Sequence, residues 1–112
     1  MNKYGIFLIS MVLAFALACA VLYVTLDRHE QAHTVINTYY GAQTNYSLTF
    51  SFSALNGQAS ASVFPTHEDR QLAYLGHSIN EAVGYQNQPF IFIVSFLLSA
   101  MFFFHAFLEL NK

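Results

Sequence analysis

Residues 4–33 read YGIFLISMVLAFALACAVLYVTLDRHEQAH, an apolar run that ends abruptly in Asp, Arg, His and Glu. From Tyr4 to Leu26 there are 23 residues without a charge. At a rise of about 1.5 Å each, a helix of that length extends roughly 34 Å, enough for a hydrocarbon core of about 30 Å. A membrane-spanning helix over 4–26 is expected, continuing through His33 to about residue 40. A second apolar block, FIFIVSFLLSAMFFFHAFL, runs from Phe90 to Leu108 directly after Pro89. Proline suits a helix's first turn, where its missing N–H would have no acceptor, so a separate second span over 89–109 is expected.

The composition agrees with this pattern. Of 112 residues, 55% are hydrophobic and only 9% charged, far from the quarter expected of a soluble domain. Lys3, Arg28, Arg70 and Lys112 are scattered through a chain of net charge −2, so no cationic patch exists to neutralise a row of phosphates. Nucleic-acid binding is excluded on that ground. The lone Cys19 can form no intrachain disulfide. Two spans put both termini on one side of the membrane and residues 27–88 on the other. Lys3 and Lys112 balance Arg28 and Arg70, so the side stays unassigned. A signal peptide cleaved after Ala16-Leu17-Ala18 is the rival for the first block, but Val21, Leu22, Val24 and Leu26 continue the apolar run beyond that point. Ser10, Ala14 and Ala18 recur every four residues, a small-residue stripe that permits close helix approach.

Between the blocks the periodicity changes. Tyr46, Leu48, Phe50 and Phe52 alternate with Ser47, Thr49, Ser51 and Ser53, which predicts a strand. Asn56-Gly57 is a strong turn signal, and Ala59, Ala61 and Val63 alternate with serines as a returning strand, giving a hairpin over 44–64. Thr66 can cap a helix with Asp69 three residues on. Leu72, Leu75, Ile79, Ala82 and Val83 form its apolar stripe, with Arg70, Tyr74, His77 and Glu81 opposite. Gly84 offers a stop, so an amphipathic helix over 67–83 is expected. The fold class is an integral membrane α+β protein, two transmembrane helices enclosing a β-hairpin and an amphipathic helix.

His29-Glu30-Gln31-Ala32-His33 is an H-E-x-x-H motif. On a helix the two histidines lie one turn apart on one face and can share a Zn²⁺ at about 2.0–2.1 Å. Glu30 then lies beside the ion as the base for water. A third protein ligand is needed, and His67, His77 and Glu81 are the candidates. Asn80-Glu81-Ala82-Val83, downstream of H-E-x-x-H, resembles the gluzincin segment whose Glu is the third zinc ligand. The motif with Gly41 eight residues after His33 and a Ser- and Phe-rich strand resembles the opening of site-2 membrane proteases. Both resemblances imply peptide hydrolysis by a zincin metalloprotease, the gluzincin one with Glu81 as third ligand, and the place of His29 at the exit of a spanning helix suggests a peptide or membrane protein cleaved at or near the membrane surface.

The expected site is therefore Glu30 as catalytic base, with His29, His33 and Glu81 on zinc. His77 or Tyr85 is expected to support a ligand or the oxyanion. The bland alternatives are headgroup-level histidines and a solvated helix face. His105 and Glu109 lie near the far end of the second span and cannot join His29. Asn45-Tyr46-Ser47 matches a glycosylation acceptor, a common triplet. The rival function is a noncatalytic accessory subunit of a larger membrane complex, its metal structural or absent, with lipid and other helices or copies of itself as partners.

Overall fold

The computed structural model describes residues 2–51 and 54–112, with side chains described outside 50–56 and 85. Four elements follow in order: α1 (Lys3–Tyr39), β1 (Thr44–Ser51), β2 (Ala54–Ala61) and α2 (His67–Leu110). The chain is mostly helical with one two-stranded antiparallel sheet, and both helices are long and apolar enough to cross a membrane. It divides into two compact units, one of Met1–Tyr23 with Gln88–Lys112, the other of Val24–Asn87.

The first unit holds the apolar parts of both helices. Ile6, Ser10, Ala14 and Ala18 are buried on one face of α1, so the small-residue stripe is used for packing within the chain. Ser10 satisfies its own hydroxyl by donating to the Ile6 carbonyl at 2.8 Å. Edge-to-face pairs of Phe7 with Phe104 and Phe15 with Phe92 join the two helices, an arrangement that aromatic quadrupoles favour.

The second unit contains the C-terminal part of α1, the hairpin and the N-terminal part of α2. Helix α1 ends in a Schellman motif. Ala42 N–H donates to the Asn37 carbonyl and Gly41 N–H to the Thr38 carbonyl, with Gly41 at φ 82°. Gly41 thus has a local reason to be glycine, since other residues tolerate that backbone poorly. Thr66 caps α2: its Oγ1 accepts from the Asp69 N–H at 3.0 Å and donates to the Asp69 carboxylate at 2.6 Å.

Two expectations are corrected. Gly84 and Pro89 do not divide the second helical region, because α2 is continuous from His67 to Leu110 with Pro89 inside it. Proline removes one hydrogen bond, but such a loss is tolerated in apolar helices when neighbours stabilise the rest. Asn56-Gly57 is not the hairpin turn. Ser51 pairs with Ala54, so the connection is residues 52–53, outside the described residues, while Asn56 and Gly57 pair with Thr49 and Leu48 inside the sheet. A turn signal is a preference of φ, and here Gly57 answers a different demand, made by Glu30.

Candidate metal centre

The second unit brings together His29 and His33 of α1 and Glu81 of α2. His29 Nε2 lies 3.3 Å from His33 Nε2 and 3.4 Å from Glu81 Oε1, while His33 Nε2 and Glu81 Oε1 are 2.8 Å apart. Ligands about 2.05 Å from a tetrahedral zinc stand roughly 3.3 Å from one another. Two of the three separations match that edge and the third is shorter. Among the described residues this is the one group of three or more such side chains able to hold a metal ion.

The hydrogen bonds around His33 place a proton on its Nδ1. Asn37 donates its Nδ2 to Thr44 Oγ1 at 3.5 Å, which leaves its Oδ1 as an acceptor for His77 Nε2–H at 2.7 Å. Burial lowers the His77 pKa below its ordinary 6.5, the charge of His33 lowers it further, and Glu81 partly offsets both. His77 is therefore neutral near pH 7, with its lone pair on Nδ1. That lone pair faces His33 Nδ1 at 2.7 Å, so His33 carries a proton there. His33 Nε2 lies 3.2 Å from Asn80 Nδ2 and 2.8 Å from Glu81 Oε1. A proton on His33 Nε2, donated to Glu81, satisfies the 2.8 Å contact. A metal ion in place of that proton would touch both atoms and engage His29 as well. The donor set fits zinc.

Glycines let the site close. A Cβ at Gly84 would lie 2.5 Å from Cε1 and Nδ1 of His29, and one at Gly57 would lie 2.4 Å from Oε1 of Glu30. Gly84, expected as a helix stop, is instead the floor under His29. Alanine would favour the helix intrinsically by about 0.8–1 kcal/mol. Because the obstructed group is a side chain, Gly84→Ala should keep the fold but turn the His29 ring away from Glu81. Metal affinity should fall on the order of 10–100-fold, the range seen when a ligand's support is lost. Isothermal titration with zinc, beside a thermal melt, checks both halves.

Glu30 is 6% exposed and lines a cleft of about 980 Å³ with His33, His77 and Glu81. His67 also lines that cleft but contacts Gln71 rather than the triad. The Tyr85 side chain lies outside the described residues. Glu109 pairs with Lys112 in the other unit, and neither it nor His105 joins the metal group. Sequence inspection overlooked Asn37, which is 3% exposed. Its signal was the continuation 29, 33, 37, a third polar residue at four-residue spacing. Comparison with protein-family models, with curated proteins and with solved structures returns no match.

Proposed function

We propose that the chain is a membrane-bound zinc endopeptidase of the zincin kind, cleaving peptides at or near the membrane surface. The observation that carries this is the convergence of His29 Nε2, His33 Nε2 and Glu81 Oε1 beside a buried glutamate at the edge of a cleft. His29, His33 and Glu81 would hold the ion, with Asn37 and His77 keeping a proton on His33 Nδ1 so that Nε2 is the nitrogen turned to the metal. A zinc ion there supplies Lewis acidity toward the scissile carbonyl and lowers the pKa of water to about 7. Glu30 takes the proton from the attacking water and delivers it to the leaving amine. Its burial against Gly57 fixes the carboxylate without long side-chain excursions.

Membrane attachment rests on the two apolar helices, of whose most hydropathic windows only 22% and 6% is buried within the chain. Exposed Leu8, Val12, Phe90, Leu98 and Phe102 would face lipid tails rather than water. With both helices crossing, the termini share one side and the metal centre stands on the other.

The free edge of β2 is suited to hold substrate extended. Ser62 N–H donates to the Gln43 carbonyl, so in the alternating antiparallel ladder Ser62, Ser60 and Gln58 turn inward to β1. The main-chain groups of Gly57, Ala59 and Ala61 then point outward, and all three residues line the cleft. Ala61→Pro removes an outward N–H and should raise KM severalfold with zinc still bound. Ser60→Pro instead breaks the ladder and should lower the melting temperature. Equal kinetics for a folded Ala61→Pro protein and its parent would remove the strand edge from the mechanism.

The test of the function is zinc content of the protein purified in detergent, with hydrolysis of quenched fluorescent peptides before and after chelation. One zinc per chain and chelator-sensitive cleavage are expected. Metal without cleavage would support a structural centre in an accessory subunit.

A further inference from the structure

The polar stripe of α2 continues beyond the metal ligands. Arg70, Tyr74, His77 and Glu81 follow at intervals of four, three and four residues, and all four line the same cleft. Arg70 donates from Nε to Tyr74 Oη at 3.2 Å, and its guanidinium carbon lies 5.3 Å from the centre of the Tyr74 ring. That bracing reduces the freedom of a long side chain while leaving its terminal nitrogens available. Among the described residues Arg70 takes part in no ion pair, and no acidic residue lies outside them. Asp69, its neighbour, is engaged by Thr66, and Glu30 and Glu81 are the acidic residues of the cleft. Arg28 and Lys112, by contrast, are occupied by Gln31 and Glu109. Arg70 is therefore a positioned cation at one end of a cleft whose other end is the metal centre.

We infer that Arg70 is a substrate-specificity residue that binds a carboxylate of the peptide at a set distance from the scissile bond. This rests on the peptidase proposal and adds the chemical class of its substrate. The distance follows from the fold. Glu81 comes eleven positions after Arg70 on α2, about 17 Å along the axis. A peptide extended along β2 advances roughly 3.3 Å per residue, so the carboxylate belongs about five residues from the cleaved bond. It can come from an acidic side chain or from the peptide's own C-terminus. Guanidinium recognises both by the same pair of N–H donors.

The experiment uses the full chain loaded with zinc in detergent micelles. Quenched peptides carry a single Glu or Gln three to seven residues from the bond, each with a free or amidated C-terminus. A glutamate four to six residues away should raise kcat/KM about tenfold over glutamine, mainly through KM, as for a hydrogen bond to a charged group. A gain seen only with the free acid form assigns the role to the C-terminus. In Arg70→Gln the Glu-to-Gln ratio should approach one, and Arg70→Glu should favour a lysine peptide instead. A ratio of one in the parent at every position overturns the inference. Binding of a labelled peptide to zinc-loaded Glu30→Gln is followed in parallel by anisotropy. Carboxylate-dependent binding without cleavage by the parent sinks the peptidase proposal and leaves the Arg70 site standing. Cleavage without carboxylate dependence does the reverse, and neither binding nor cleavage removes both.

Discussion

Glu30→Gln should retain zinc and lose turnover by a factor of about 10² to 10⁴, the usual worth of a positioned general base. Glutamine has nearly the same shape, and the site is strict about shape. Glu30 is 6% exposed, and its carboxyl occupies the space a Cβ on residue 57 would need. The amide thus fits where the carboxylate was but cannot accept a proton from water and pass it to an amine. A loss in kcat with an unchanged zinc titration is the expected signature. Cleavage of a proven substrate at the parent rate would show that Glu30 is not the base. Gly57→Ala offers a second approach, because it leaves the carboxylate chemistry intact but displaces it from the strand. A displacement near 1 Å can cost about 10² in rate.

The second large effect separates Glu81 from His77. Both belong to the polar stripe of α2, one turn apart, and both contact His33, at Nε2 and Nδ1 respectively. Only Glu81 also approaches His29, at 3.4 Å. Glu81→Ala leaves two histidines on adjacent turns, fewer than the three protein ligands of catalytic zinc centres. The variant should lose its metal at free zinc concentrations that saturate the parent. His77→Ala leaves all three donors in place but removes the acceptor that holds the His33 proton on Nδ1. Zinc should remain with affinity reduced on the order of 10–100-fold. Competition with a chromogenic chelator measures both. The reverse pattern would make His77 the ligand, and full retention in both would turn attention to His67 or to a second chain. Asn37→Leu should follow His77→Ala, because without the Asn37 oxygen the His77 tautomer is no longer set.

Length and periodicity carry much information in this chain. Uncharged runs over 4–26 and 90–108 dictate helices because the backbone must satisfy its own hydrogen bonds wherever side chains exclude water. Alternation over 46–51 dictates a strand, and Thr66 with Asp69 dictates a helix start, since both are local effects. H-E-x-x-H puts His29 and His33 on one face by helical geometry alone. What the sequence could not determine was the purpose of Gly57 and Gly84, or that α2 runs on through Pro89. Gly57 and Gly84 look like a turn and a stop when read locally, and both are places where another element comes too close for a Cβ. Asn37, likewise, looks like a helix-end polar residue until Thr44 and His77 are placed beside it. The contact of Glu81 with His29, and the proton on His33 Nδ1, depend on neighbours 44 to 52 residues away in the chain. Only the tertiary structure decides those, because donor and acceptor roles are assigned by neighbours that local spacing does not specify.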